Sequence, residues 1–258
     1  MKELLFTIVL TLTSLTTNAQ SCPDENHPHA IDLGLPSGTL WACCNVGANK
    51  PLESGVYYAW GETEEKFCYN MDTYIYWDSY YYYLGSDIAG TQYDVAHVKW
   101  GDSWVMPSLT QIQELMHNST YEFTTINEVN GERFTGPSGG SIFIPAAGMR
   151  TDGEFGYFGI GGNYWTSTPN LTYLKNAYRL HFTVGGVYWF YDYFRETGLS
   201  VRPVMVSTAN INPSESFSER INPAIYNLLG IKVADNTDKI NDLHSGIYIV
   251  NGRKFAVK

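Results

Sequence analysis

From Gly38 onward, short apolar runs alternate with turn-forming residues, a spacing that predicts many short strands. Residues 39–45 (TLWACCN) and 55–60 (GVYYAW) open the series. Residues 141–145 (SIFIP), 163–167 (NYWTS), 177–182 (AYRLHF) and 187–194 (VYWFYDYF) continue it, and 199–205 (LSVRPVM) close it. Asn130-Gly131 reads as a two-residue hairpin turn, and Gly185-Gly186 as the link between the strands around it. If 187–194 is one unbroken strand, Val187, Trp189, Tyr191 and Tyr193 share a face, and Tyr188, Phe190, Asp192 and Phe194 share the other.

One helix interrupts the strand pattern. Ser108 can cap it, Gln111 completes a capping box, and Leu109, Ile112, Leu115 and Met116 fall on one face. A weaker helical turn covers 94–100. Residues 69–83 hold seven Tyr and one Trp with no clean period, which predicts an irregular loop lying partly on the surface.

The ends carry different signals. Residues 1–19 combine Lys2, a largely apolar run and small residues at Thr17 and Ala19, which predicts a signal peptide cut before Gln20. Lipid attachment at Cys22 is a second reading of the same region. Residues 207–217 (STANINPSESF) read as a linker. Beyond them, 218–258 form a small β unit. There Asn251-Gly252 is expected as a type I′ turn, with Val250 opposite Arg253 and Tyr248 opposite Phe255. No segment after the first is long and apolar enough to span a bilayer as a helix.

Composition narrows the partners. Hydrophobic residues make up 44% and charged residues 16%, which suits a packed core. The net charge is −10 with no basic stripe, so a phosphate backbone is an unfavourable partner and no nucleic acid is expected. Tyr, at 20 residues, outnumbers Phe at 12, which favours half-exposed binding faces. Cys22, Cys43, Cys44 and Cys68 can oxidise in an exported chain and allow three pairings.

Catalytic and metal constellations are thin. Gly136-Pro137-Ser138-Gly139-Gly140 with His97 resembles a serine-hydrolase pair, but the better reading is a glycine-rich turn before SIFIP. The glycines from Gly156 to Gly162 do not sit between a strand and a helix, so they make no phosphate cradle. His27 and His29 read as a solvated segment. Asp72, Asp78, Asp87 and Asp94 follow no calcium-loop spacing. No cofactor, metal or catalytic residue is assigned. The candidate ligand-binding residues are aromatic: Tyr74, Tyr76, Trp77 and Tyr81 in the loop, and Trp189, Tyr191 and Tyr193 in the strand.

Two resemblances follow from particular stretches. Ile225-Tyr226-Asn227-Leu228-Leu229-Gly230, then Gly246-Ile247-Tyr248-Ile249-Val250, then Arg253-Lys254 resemble the C-terminal sorting domain of the type IX secretion system. Trp104-Val105-Met106-Pro107-Ser108, Tyr164-Trp165-Thr166-Ser167-Thr168 and Gly198-Leu199-Ser200-Val201-Arg202-Pro203-Val204 resemble the Fibrobacter succinogenes major paralogous domain, as does the opening Ile31–Ala42. That family looks related to the C-type-lectin-like fold of formylglycine-generating enzymes. The resemblance implies an α+β class: a C-type-lectin-like domain over 20–206 with short strands and one clear helix, plus the small all-β tail. It also implies a buried Trp, a helix cap and a core Arg. Formylglycine-generating activity would need a late Cys pair, and every Cys lies at or before Cys68.

The expectation is a non-enzymatic binding module, secreted or on the outer cell surface, recognising a glycan or protein. Its tail would address the secretion machinery. A secreted hydrolase-like enzyme is the alternative, and a variable display surface a third, weaker reading.

Overall fold

In the computed structural model, the described residues are 29–77, 83–101, 103–188 and 190–206, followed by 225–227, 232–234, 243, 245–250 and 253–257. The proposed signal peptide, Cys22, His27 and the linker lie outside them. The chain divides between Val206 and Ser207 into two compact units.

The first unit runs through β1 (Ala30–Asp32), β2 (Thr39–Ala42), α1 (Val95–Trp100), α2 (Leu109–Asn118), β3 (Thr120–Ile126), β4 (Val129–Thr135) and β5 (Ser141–Pro145). It continues through β6 (Met149–Thr151), β7 (Glu154–Gly156), β8 (Gly161–Pro169), β9 (Asn176–Thr183), β10 (Gly186–Tyr188), β11 (Asp192–Phe194) and β12 (Val204–Val206). The fold is mostly β, with two α-helices and one short 3-10 turn (Met71–Thr73) among the described residues. Its sheets are β1-β2-β12, β3-β4-β5, and β8-β9 with β10 and β11 on the far side of β9; β6 and β7 form a separate hairpin.

The capping signals hold. Ser108 Oγ accepts from the Gln111 N–H, and Gln111 Oε1 accepts from the Ser108 N–H at 2.9 Å. The apolar stripe of α2 then buries Ile112 and Leu115, each contributing about 1.5–3 kcal/mol. They join Trp41, Phe134, Leu180 and Phe182 in one core. Asp94 caps α1 and accepts backbone N–H bonds from Gly90, Ala96, His97 and Met106. Its carboxyl is pushed up by burial, and these four donors oppose that rise. Asp94 is therefore a structural acceptor, not a free oxygen ligand.

A second core gathers Trp60, Trp100, Trp104, Trp165, Leu199 and Val201. Trp165 Nε1 donates to the Tyr58 carbonyl at 2.9 Å, and Trp60 Nε1 to that of Thr166 at 2.8 Å. Arg202, 1% exposed, donates to Asn45 Oδ1 and to the carbonyls of Ala42, Cys43 and Phe143. The expected buried Trp, helix cap and core Arg are all present and all architectural.

Three local expectations are overturned. Residues 55–60 form no strand; they are tied in by an isolated bridge between Tyr58 and Leu199. The β3–β4 turn is not Asn130-Gly131 but Asn127-Glu128, at φ 46° and 67°. Gly131 lies inside β4 because a Cβ there would collide with the Ile144 carbonyl oxygen and the Phe143 ring. The third, a single strand over 187–194, is broken in two, as the site requires.

The second unit pairs β13 (Ile225–Asn227) with β14 (Lys232–Ala234) and β15 (Gly246–Val250), and β15 with β16 (Arg253–Val257). The register sets Val250 opposite Arg253 and Tyr248 opposite Phe255, as the Asn251-Gly252 turn predicts. No helix among the described residues is long and apolar enough to cross a membrane.

Candidate functional site

β9 is the spine of the site. Tyr188 of β10 pairs with His181, and Asp192 of β11 pairs with Tyr178. Between these pairs β9 spends two residues and its partner spends three, so one extra residue is inserted: a β-bulge. Pairing resumes at once, with the Arg179 N–H donating to the Tyr191 carbonyl at 3.0 Å.

The bulge changes which side chains meet. Ala177, Arg179 and His181 share one side of β9. Directly opposite residues share a face, so Tyr188 and Tyr193 both lie on that side. In an unbroken strand, five residues apart, they would face away from each other. On the other flank β8 places Asn163 opposite His181 and Trp165 opposite Arg179, again on this side.

A polar centre results. Arg179 Nη1 donates to Asn163 Oδ1 at 2.6 Å. His181 Nδ1 lies 2.9 Å from the same oxygen and 3.3 Å from the Gly162 carbonyl. Both partners are acceptors, so the imidazole proton belongs on Nδ1. Burial lowers the His181 pKa, and the charge of Arg179 lowers it further. The Arg179 guanidinium lies 4.2 Å from the Tyr193 ring centroid. Burial pulls the Arg179 pKa down to about 10. Arg179 Nε and Asn163 Nδ2 are buried with no hydrogen-bond partner among the described residues.

Rings surround this centre. Tyr188 stacks on His181 at 5.9 Å, and Tyr191 meets Tyr188 edge-on at 5.5 Å. Phe190 packs on Tyr191 at 4.7 Å, and the two are 54% and 46% exposed. Tyr157, at φ 60° and more than half exposed, is near enough to bear on the Arg179 charge. It leads to a second exposed group on the β6–β7 hairpin. There Phe155 packs against Phe158 at 5.8 Å, and the Arg150 guanidinium lies 4.9 Å over the Phe155 ring.

The aromatic candidates therefore divide. Tyr191 is exposed, and Tyr193 is half-buried beneath Arg179. Tyr74 is a correction: it is 3% exposed, in a small core with Tyr57, Ala59 and Tyr69, and its hydroxyl donates to the Trp60 carbonyl. A ring that finds a buried acceptor satisfies its hydroxyl and gains the burial as well. Tyr76 and Trp77 are half-buried against that core. Tyr81 and Trp189 lie outside the described residues. The strand 177–182 offered one unread signal for the polar centre, Arg and His two positions apart in an otherwise apolar run.

The other chemistries are not assembled. Ser138 Oγ donates to the Asp32 carbonyl and accepts from the Gly140 N–H, as a turn residue does. His97 sits on α1, capped by Asp94. Cys43 Sγ lies 3.6 Å from His29 Nδ1, and Cys43 lines a cavity of about 630 Å³ with Ile31, Leu52, Arg133 and Phe143. No disulfide joins Cys43, Cys44 and Cys68 to one another. Among the described residues, no three His, Cys, Asp or Glu side chains are grouped to hold a metal.

Comparison with protein families, curated proteins and solved structures finds no match to this chain.

Proposed function

We propose that this chain is a secreted or outer-surface binding module that recognises a glycan or a protein through exposed aromatic side chains. The carrying observation is the set of exposed rings: Phe190 and Tyr191 beside Tyr188, Tyr157 near the buried Arg179, and the separate Phe155–Phe158 pair under Arg150. Flat rings with few rotamers give contact area at low entropic cost. In this reading the body is a C-type-lectin-like core related to the Fibrobacter succinogenes major paralogous domain. The tail acts as a type IX sorting address recognised by secretion machinery. The burial of Trp104, Trp165 and Arg202 supports the first assignment, because the resembling motifs are spent on packing. The four-stranded tail sheet supports the second.

A glycan and protein array probed with the full chain tests the reading. Binding that falls at least about tenfold in Tyr191→Ala is the expected result. Binding untouched by Tyr191→Ala and by Phe155→Ala removes the aromatic face from consideration. The competing reading, a secreted hydrolase, rests on Cys43 beside His29 and its adjoining cavity. Turnover of an ester or amide panel that disappears in Cys43→Ser would favour it.

A further inference from the structure

We propose that Arg179 selects a carboxylate on the ligand, and that the ligand is a glycan ending in a single acidic sugar. The inference rests on the aromatic-face reading and names its ligand class.

Arg179 is a buried cation without an ionic partner at contact distance among the described residues. Among the described residues its only side-chain hydrogen bond runs from Nη1 to the neutral Asn163. Nε has no partner, while Nη2 is unbonded and not sealed from solvent. The nearby acid, Asp192, is committed elsewhere: it accepts from Asn170 Nδ2 and from Asn176 Nδ2. It bears on Arg179 only through space. His181 adds no positive charge near neutral pH, because burial and Arg179 both favour its neutral form. The residues are therefore arranged around an unneutralised guanidinium fork. A carboxylate reaching Nη2, the guanidinium nitrogen open to solvent, would meet that charge and supply the acceptor Nη2 lacks.

The surroundings choose among anions. Tyr191 meets His181 edge-on at 6.4 Å, Phe190 packs on Tyr191, and Tyr157 bears on the Arg179 charge; these exposed rings suit a sugar ring whose carboxylate reaches inward. The whole chain carries a net charge of −10, so the overall field disfavours a polyanion. One terminal carboxylate on an otherwise neutral glycan avoids that repulsion. An acidic peptide would bring several charges and an unpaired backbone against aromatic rings, and is disfavoured for both reasons.

Titration calorimetry on the full-length protein tests this with matched pairs. These are 3′-sialyllactose against lactose, and glucuronosyl-xylotriose against xylotetraose, each acid also as its methyl ester. At least one acid should bind about tenfold or more tightly than its neutral partner, and its methyl ester should lose that advantage. Arg179→Gln should erase the preference within the pair; the ester comparison needs no variant and so stands even if this one folds poorly. Neutral members binding as tightly as the acids would overturn the carboxylate assignment while leaving the aromatic face intact. A preference that survives Arg179→Gln in a folded variant, or no binding of any acid, also overturns it. If Tyr191→Ala affects neither member of a bound pair, the aromatic-face reading fails separately.

Discussion

The guanidinium of Arg179 lies 4.2 Å from the centroid of the Tyr193 ring, and the two side chains come from strands paired across β9 and β11. Tyr193 also packs against the tryptophan-rich core. It therefore joins the site to the scaffold. Tyr193→Ala should cost about 2–4 kcal/mol, from lost packing and a lost cation–π contact. Tyr193→Phe should cost under about 1 kcal/mol, since the ring face remains. Urea unfolding of the two variants checks the difference.

Glu132 predicts a pH dependence of opposite sign to that of a salt-bridged acid. It is 2% exposed, on β4 between Phe123 and Ile144, and one carboxylate oxygen has no partner among the described residues. Burial, with the charge of Glu122, pushes its pKa from 4.5 up to about 7. The folded state then holds a proton that the unfolded state releases, so stability should fall as pH rises from 4.5 to about 7. The full shift corresponds to about 3 kcal/mol. Glu132→Gln should flatten this profile and raise the denaturation midpoint at pH 8; an unchanged slope would refute the assignment.

Arg202 predicts the largest loss. Arg202→Met removes the donor for three carbonyls and for Asn45 Oδ1, all in a sealed interior. Each orphaned acceptor costs about 1–3 kcal/mol, so the body should unfold at or near room temperature. Arg202→Lys should fail as well, because one ammonium cannot span the positions of a planar fork. Thermal melts followed by near-ultraviolet circular dichroism report both.

The β3–β4 hairpin allows a paired test. Glu128 holds φ 67° without being glycine, so Glu128→Gly should stabilise by about 0.5–1 kcal/mol. Gly131→Ala, three residues on, should destabilise by about 1–3 kcal/mol, since the Ile144 carbonyl oxygen leaves no space for a methyl. If the two changes had the reverse effects, the turn would belong at Asn130-Gly131 after all.

That hairpin also shows where the sequence is legible. Ser108 and Gln111 mark α2 to the residue, because a capping box is a local hydrogen-bond pattern written in two side chains. Asn251-Gly252 lie outside the described residues, but the β15–β16 register around them is the one their two-residue hairpin signal implies, for the same local reason. Asn130-Gly131 carries the same two letters and means something else. Its glycine answers the approach of Phe143 and Ile144 on β5, which no neighbouring residue announces. The bulge in 187–194 is hidden likewise, since one extra residue among aromatic neighbours leaves no break in pattern. The burial of Tyr74 is not legible either, because a run of tyrosines does not say which hydroxyl will find a buried carbonyl. Arg179 and Asn163 lie on neighbouring strands, so their meeting depends on register, not on sequence spacing.

The paired segments on either side of the extra residue keep their own registers, Tyr188 with His181 and Asp192 with Tyr178. Insertions or deletions between them would alter which groups project outward without disturbing either ladder. This short stretch is thus where the exposed surface can change in content and length at least cost to the folded frame.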